Sequence, residues 1–321
     1  MKQEGKREEK TEEREALLEI RDLSVSFRQY GRGTRQEELP VISNLNVTVR
    51  RGEIMAVVGA SGSGKSLLAE AVMGLLPSNA SLKGELIFKG EALDRKRLEK
   101  LRGKELALVP QSISCLDPLM KAGSQVRMGR KDAATRRRQE EMFRRYRLPE
   151  GTQDKYPFQC SGGMNRRLLL SMALMEKPEL LIADEPTPGL ELSLAREAMG
   201  DFRAFADEGN GVLLITHDIE LAMETADRIT VFYAGTTVEE APASDFAAEE
   251  LLRHPYTRAL WRAMPRNGFQ AEAGTQPYVK NMPRGCVYGP RCTHFSPECE
   301  GKIPECEVRG GRVWCIRPGR K

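Results

Sequence analysis

No apolar run in this chain is long enough to cross a bilayer. Its longer stretches, such as Leu168 to Met175, fall well short of the ~18 residues that a membrane-spanning helix requires. A dominant charge is missing too: 50 basic residues face 46 acidic ones, and the net +4 is too mild a surplus to imply a nucleic-acid partner. No internal repeat is visible. The opening segment MKQEGKREEKTEERE has no apolar core of the kind a signal peptide carries, and it mixes both signs of charge, unlike a transit sequence. Residues 1–17 therefore read as a charged, disordered lead-in, and a cytoplasmic protein is the expectation.

Cysteine is sparse over most of the length, at Cys115 and Cys160, and then crowds the end at Cys286, Cys292, Cys299, Cys306 and Cys315. A reducing compartment disfavours disulfides, and clustered cysteines in such a setting point to metal or cluster ligation. With 321 residues there is room for one large domain and a smaller appendage, or for two domains.

The most informative stretch is GASGSGKS, Gly59 to Ser66, which follows the apolar run Ile54 to Val58 and precedes the helix formers Leu67-Leu68-Ala69-Glu70. Strand, glycine loop and helix start are the setting of a phosphate-binding P-loop. Gly59, Gly62 and Gly64 let the loop fold tightly with Ala60, Ser61 and Ser63 between them, so that successive N–H groups point inward. The helix behind adds roughly half a positive charge. Such a nest takes a triphosphate. Lys65 is placed to reach the β- and γ-phosphates and the Ser66 hydroxyl to ligate Mg²⁺, with Leu67 the last residue of the nucleotide-binding segment. Alone, the loop says only nucleotide.

Leu18 to Phe27 and Val41 to Val49 alternate apolar and polar residues as half-buried strands do, which predicts an antiparallel β layer. Phe27 closes the first of them and Tyr30 follows, and either ring offers a face to a base. Two more strands are expected at Glu85 to Phe88 and Glu105 to Val109; the second stops at Pro110 and leaves Gln111 at a strand end. Between Leu119 and Leu148 the chain turns basic and helical, a helical insertion whose arginines form a solvated face. In CSGGMNRR, Ser161, Gly162 and Gly163 make a second N–H-rich turn at a helix start, a second anion site by the same physics. Leu180 to Ala183 is a buried strand with Asp184 and Glu185 at its carboxyl end, where α/β sheets place their chemistry. Asp184 can hold Mg²⁺ through water, and Glu185 can act as general base. His217 ends the buried strand Gly211 to Thr216, in position to donate to a γ-phosphate oxygen. Strands at Ile229 to Ala234 and Thr236 to Glu240 are followed by a helix that Ser244 caps and that runs to about Arg253.

The P-loop, Gln111 after a strand, the SGG turn, LLIADEP and His217 occur in an order that resembles the ATP-binding subunits of ABC transporters. The resemblance covers 18–265 and implies an α/β, P-loop NTPase fold of the ABC type: a mixed-sheet core, an antiparallel β subdomain and a helical subdomain at about 112–177. It further implies that two such domains sandwich two ATP molecules, each lying between the P-loop of one chain and Ser161 to Gly163 of the other. In that family Phe27 matches the base-stacking aromatic, Gln111 the γ-phosphate sensor and Mg²⁺ ligand, and Glu191 the loop connecting the two ATP sites. Three positions depart from the pattern: Cys160 replaces a leucine, Arg166 stands where glutamine is frequent, and Glu191 replaces an aspartate.

HPYTRAL, His254 to Leu260, and the cysteine tail resemble the ATPase subunits of dipeptide, oligopeptide and nickel importers. That subgroup implies a C-terminal module, 266–321, in which Cys286, Cys292, Cys299 and Cys315 carry a [4Fe–4S] cluster. Four thiolates suit tetrahedral Zn²⁺ as well, and a ligand-free tail is the third reading; Cys306 has no counterpart. The expected function is MgATP hydrolysis at a dimer interface, coupled to peptide uptake from the cytoplasmic face of the membrane. Nickel or metal-chelate import by the same architecture is one alternative, and a soluble ABC ATPase acting on ribosomes or DNA is another. The partners implied are a second ATPase subunit, two membrane-spanning permeases and an extracytoplasmic substrate-binding protein, with no nucleic acid.

Overall fold

In the computed structural model, residues 14–30, 36–270 and 272–319 are described. Apolar–polar alternation builds β1 (Ala16–Tyr30), which pairs antiparallel with β2 (Gln36–Arg50). Both strands outrun their alternating cores. Ala16 and the buried Leu17 of β1 fall inside the expected lead-in, of which 1–13 lies outside the described residues. The continuous apolar run Ile54 to Val58 becomes β3 (Ile54–Gly59), buried along its whole length and flanked by parallel neighbours, as such a run should be.

The chain continues through α1 (Lys65–Val72), β4 (Ala80–Phe88), the short β5 (Glu91–Ala92), α2 (Arg95–Leu101) and β6 (Leu106–Val109). The helical insertion follows as α3 (Ala122–Val126), α4 (Ala133–Arg145) and α5 (Gly162–Leu174). Next come β7 (Leu180–Asp184), α6 (Leu192–Asp207), β8 (Gly211–Thr216), α7 (Ile219–Thr225), β9 (Arg228–Tyr233) and β10 (Thr236–Pro242). The last elements are α8 (Pro255–Arg262), β11 (Glu305–Val308) and β12 (Gly311–Trp314).

Two sheets result. The smaller has the order β2-β1-β4-β5, and the larger the order β11-β12-β10-β9-β3-β8-β7-β6. From β9 to β6 the larger sheet is parallel, and from β9 outward through β10, β12 and β11 it is antiparallel. Because side chains alternate across a strand, β3 feeds two cores. Ile54, Ala56 and Val58 pack with α5 and α6 on one face, whereas Met55 and Val57 pack with α1 and the smaller sheet on the other. No helix is long and apolar enough to cross a membrane among the described residues.

One expectation fails. The segment after Pro242 is not a helix capped by Ser244 but two 3₁₀ turns, Ala243–Ala247 and Glu249–Leu251. Ala248 between them is extended, and the N–H groups of Arg253 and His254 donate to the buried Glu239 carboxylate. The backbone there is committed to a side chain, so an α-helix starts only at Pro255, with His254 as its cap.

Candidate nucleotide-binding and catalytic site

β3 delivers the chain to Gly59, where a Cβ would sit 2.4 Å from the carbonyl oxygen of Phe232. Only glycine fits there. Gly62 and Gly64 take left-handed backbone angles, φ 78° and 98°, that glycine adopts without steric cost. The loop thus curls around the start of α1, and Lys65 folds back over it, its Nζ donating to the carbonyls of Gly59 (2.8 Å) and Ala60 (2.9 Å). Burial lowers the Lys65 pKa, and the carboxylates of Glu185 and Asp184 oppose that shift. Ser63 is buried, and its hydroxyl finds no partner among the described residues. An unpaired buried hydroxyl in such a glycine loop suits an anionic ligand.

Ser66 follows Lys65 on α1. Its Oγ lies 3.3 Å from Asp184 Oδ1 and 3.5 Å from Gln111 Oε1, so three oxygens from three elements meet at one point. Burial raises the Asp184 pKa and the Glu185 charge adds to this, while the Ser66 hydroxyl and Lys65 pull it back. A small set of hard oxygen donors beside a phosphate nest is what Mg²⁺ takes.

Glu185 is buried next to this group. Its Oε1 and Oε2 each lie 2.8 Å from His217 Nδ1, and Thr216 Oγ1 donates to Oε2 over 3.5 Å. Its N–H donates to the carbonyl of Ile215 (2.9 Å). The His217 side chain stays 63% exposed. Lys65, Asp184, Glu185 and His217 therefore stand together at the carboxyl ends of β3, β7 and β8.

Ser161 to Gly163 form a turn at the start of α5. Ser161 caps the helix by accepting from the Met164 N–H (3.2 Å), and Ser161 and Gly162 are exposed with open space around Gly162. Glu191 occupies the N-cap position of α6 but makes no side-chain cap bond. Phe27 lies within β1 rather than at its end and packs half-buried against the core between the sheets, while the Tyr30 ring, three residues on, is 72% exposed. Ala60 and Ser61 are exposed on the P-loop, and Leu67 is half-buried behind it.

Sequence reasoning missed two contributors. Arg166, noted only as an unusual residue, is buried against Pro110, Gln111 and Glu185; its position in the helix after SGG was the available signal. Gln276, in the C-terminal stretch, donates to the carbonyl of Gly62 over 3.5 Å, and no local pattern announced it.

Cys286, Cys292, Cys299 and Cys315 line one small cavity of about 20 Å³, together with His254 and Phe295. All are free thiols. Burial pushes Cys286 and Cys292 up, and Cys315 up to about 11. The Cys306 thiol donates instead to the carbonyl of Cys315 (3.7 Å). Among the described residues no three His, Cys, Asp or Glu side chains are placed so as to hold a metal ion. The tail thus collects the four expected thiols around one cavity, and no step below depends on a metal or cluster there.

Residues 42–188 match the family described as ABC transporter, and residues 238–299 match the oligopeptide/dipeptide transporter C-terminal region. The oligopeptide transport ATP-binding protein OppD of Escherichia coli is 34% identical over 95% of this chain and 94% of its own length. The protein of the same name from Bacillus subtilis is 34% identical over 87% and 82%. A putative peptide import ATP-binding protein of Brucella abortus is 35% identical over 92% and 93%. Among solved structures, the dimeric post-hydrolysis state of an ATP-binding cassette bound to ADP and Pi superimposes with a TM-score of 0.62 at 26% identity, covering 71% of this chain and 99% of that one. The cbiO1 protein of Clostridium perfringens, part of an ABC transporter complex, gives 0.58 at 26% identity over 74% and 92%. With the P-loop, the three-oxygen site and the Glu185–His217 pair assembled on this fold, the chain belongs to the ABC transporter ATP-binding subunits, in the branch that carries the oligopeptide/dipeptide transporter C-terminal region.

Proposed function

We propose that this chain is the ATP-hydrolysing subunit of a peptide importer, working at the cytoplasmic face of the membrane on two permease subunits fed by a substrate-binding protein. The observation that carries the hydrolytic half is the meeting of Ser66, Asp184 and Gln111 oxygens beside a buried Glu185 held by His217. The P-loop amides and Lys65 bind the triphosphate; Lys65 exchanges its present bonds to the Gly59 and Ala60 carbonyls for phosphate oxygens. Ser66, Asp184 and Gln111 are the residues that would hold Mg²⁺, which would supply positive charge to offset that developing on the phosphoryl oxygens. Glu185 orients the attacking water and takes its proton, and His217 steadies that carboxylate while facing the γ-phosphate. Gln111 reports the γ-phosphate to the helical insertion. Ser161 to Gly163, exposed at the start of α5, close on the ATP of a second ATPase subunit, a different chain in our reading. Closure excludes water except the nucleophile.

Peptide is favoured over nickel as the cargo because the similar proteins carry oligopeptide and peptide import in their names. The test is reconstitution with the candidate permeases and binding protein in liposomes. ATP turnover that rises with peptide-loaded binding protein supports the proposal. Stimulation by a nickel chelate alone overturns the cargo, and stable association with ribosomes or DNA but with no permease overturns transport.

A further inference from the structure

The peptide segments that leave β6 and β7 are joined by a side chain that lies just beyond the Ser161 to Gly163 turn. Arg166 sits one turn inside α5 and is 3% exposed. Its Nη1 donates to the carbonyls of Pro110 and Gln111, each at 2.7 Å, and its Nη2 donates to the carbonyl of Glu185. Both segments carry a residue of the hydrolytic site, and the exposed turn Ser161 to Gly163 lies at the same end of α5, one helical turn before Arg166. Glu185 needs such a hold. Its backbone has φ 46°, a left-handed conformation that a residue with a Cβ keeps only when its surroundings enforce it. The N–H is fixed by Ile215 and the carboxylate by His217; Arg166 supplies the remaining restraint, on the carbonyl, and so fixes the direction in which the side chain leaves the backbone.

The guanidinium also suits the task chemically. Its planar fork offers N–H groups in several fixed directions, enough to serve three carbonyls on two segments at once. The glutamine frequent at this position in the family is shorter and has a single amide nitrogen, so it cannot bridge both segments in the same way. The cation is buried near Asp184 and Glu185, whose charges offset the cost of its burial.

We propose that Arg166 is a positioning residue for hydrolysis: it ties α5 to the backbone of Gln111 and Glu185, so that the water-orienting carboxylate is aligned only when α5 is correctly seated. This rests on the ATPase reading above. The coupling runs from the turn that meets the partner's nucleotide, through one helical turn, to this chain's own general base.

The experiment compares wild type, R166M, R166K and R166Q as full chains within the assembled complex, measuring kcat, KM for ATP, nucleotide affinity without turnover, and the thermal midpoint. In R166M, kcat falls about 10- to 100-fold, the loss expected when a reacting group is misplaced by about an ångström. KM and nucleotide affinity stay within about twofold, because Arg166 touches neither the P-loop nor Lys65. R166K, which keeps the charge and some donors, recovers part of kcat, and R166Q falls between wild type and R166M. Should R166M fail to fold, R166K and R166Q carry the same comparison. An unchanged kcat in R166M and R166Q, or a parallel loss of affinity and turnover in every variant, overturns the proposal. A wild-type complex that binds ATP without hydrolysing it overturns the ATPase reading instead.

Discussion

Glu185 combines three costs that a purely structural residue would avoid: burial of a carboxylate, a left-handed backbone and a bond to a histidine that faces solvent. Strain of this kind persists where the surrounding structure over-determines it. Replacing it with glutamine keeps the shape and removes the proton acceptor. E185Q is expected to lower steady ATP turnover by roughly 10²- to 10⁴-fold with nucleotide affinity retained, as steady-state kinetics and equilibrium nucleotide binding will show. Turnover close to wild type would sink the assignment of Glu185 as general base. Glu191 offers a separate test. At the N-cap of α6 its extra methylene leaves the first-turn N–H groups without a side-chain acceptor, whereas aspartate is among the strongest caps. E191D is therefore expected to stabilise the chain by about 0.5–1 kcal/mol, read by urea denaturation.

Helix α8 shows how a short motif is used. In HPY, His254 caps the helix, Pro255 takes the first helical position that its fixed φ suits, and Tyr256 packs against Tyr233 with ring centroids 4.4 Å apart. The cap works only while His254 Nδ1 is unprotonated, because it accepts the Tyr256 N–H over 3.0 Å. Burial holds the His254 pKa down from 6.5 to about 3. Between those values the unfolded chain binds the proton and the folded one does not, so the contribution is whole above pH 6.5 and is lost as pH falls toward 3. Lowering the pH from 7 to 5 should cost the wild type on the order of 1–2 kcal/mol through this residue. H254N, whose amide oxygen can still cap, loses that dependence, so the stability gap between the two proteins narrows toward acid. Glu53, pushed up to about 7 by burial, titrates with the opposite sign but is common to both proteins and cancels. A gap independent of pH would refute the buried neutral histidine.

The C-terminal stretch is part of the main sheet as well as an appendage to it. β12 pairs with β10 at Glu239↔Val313 and Glu240↔Arg312, and β11 closes that edge. Arg253, fully buried, binds Glu239 and Asp245 and donates to the carbonyls of Val308 (2.6 Å) and Arg309 (2.7 Å) in the turn between the two strands. Removing a buried cation leaves Glu239 uncompensated, which typically costs about 3–5 kcal/mol. R253M is expected to lose stability of that order and to expose the β11–β12 hairpin to protease. Stability within about 1 kcal/mol of wild type would show that the hairpin is held by other contacts. Toward the phosphate loop, the same stretch reaches Gly62 through Gln276 and packs Tyr288, which lies between two of the cavity cysteines, edge-on against Tyr233 and tilted against Tyr256. The thiol cavity and the phosphate loop are thereby parts of one packed region.

GASGSGKS, the SGG turn and the acidic pair after an apolar strand could be read locally because each sets its own backbone: glycines where the chain must curl, carboxylates where a buried strand ends. Their order along the chain was enough to indicate the fold, and the buried strands Gly211 to Thr216 and Leu180 to Asp184 lie where their apolar runs placed them. Local patterns failed where a distant group claimed the backbone, as Glu239 does at Arg253 and His254, turning an expected helix into 3₁₀ turns. They could not show that Arg166 meets Pro110 and Glu185, some 56 and 19 positions away in sequence, or that a C-terminal hairpin extends the central sheet. Such contacts depend on which surfaces the packed cores bring within hydrogen-bond distance. The residues by themselves determined a phosphate-loop cassette with an acidic pair at a strand end; the tertiary structure alone decided how Glu185 of that pair is held in place, because its restraints come from helices and strands that meet only after folding.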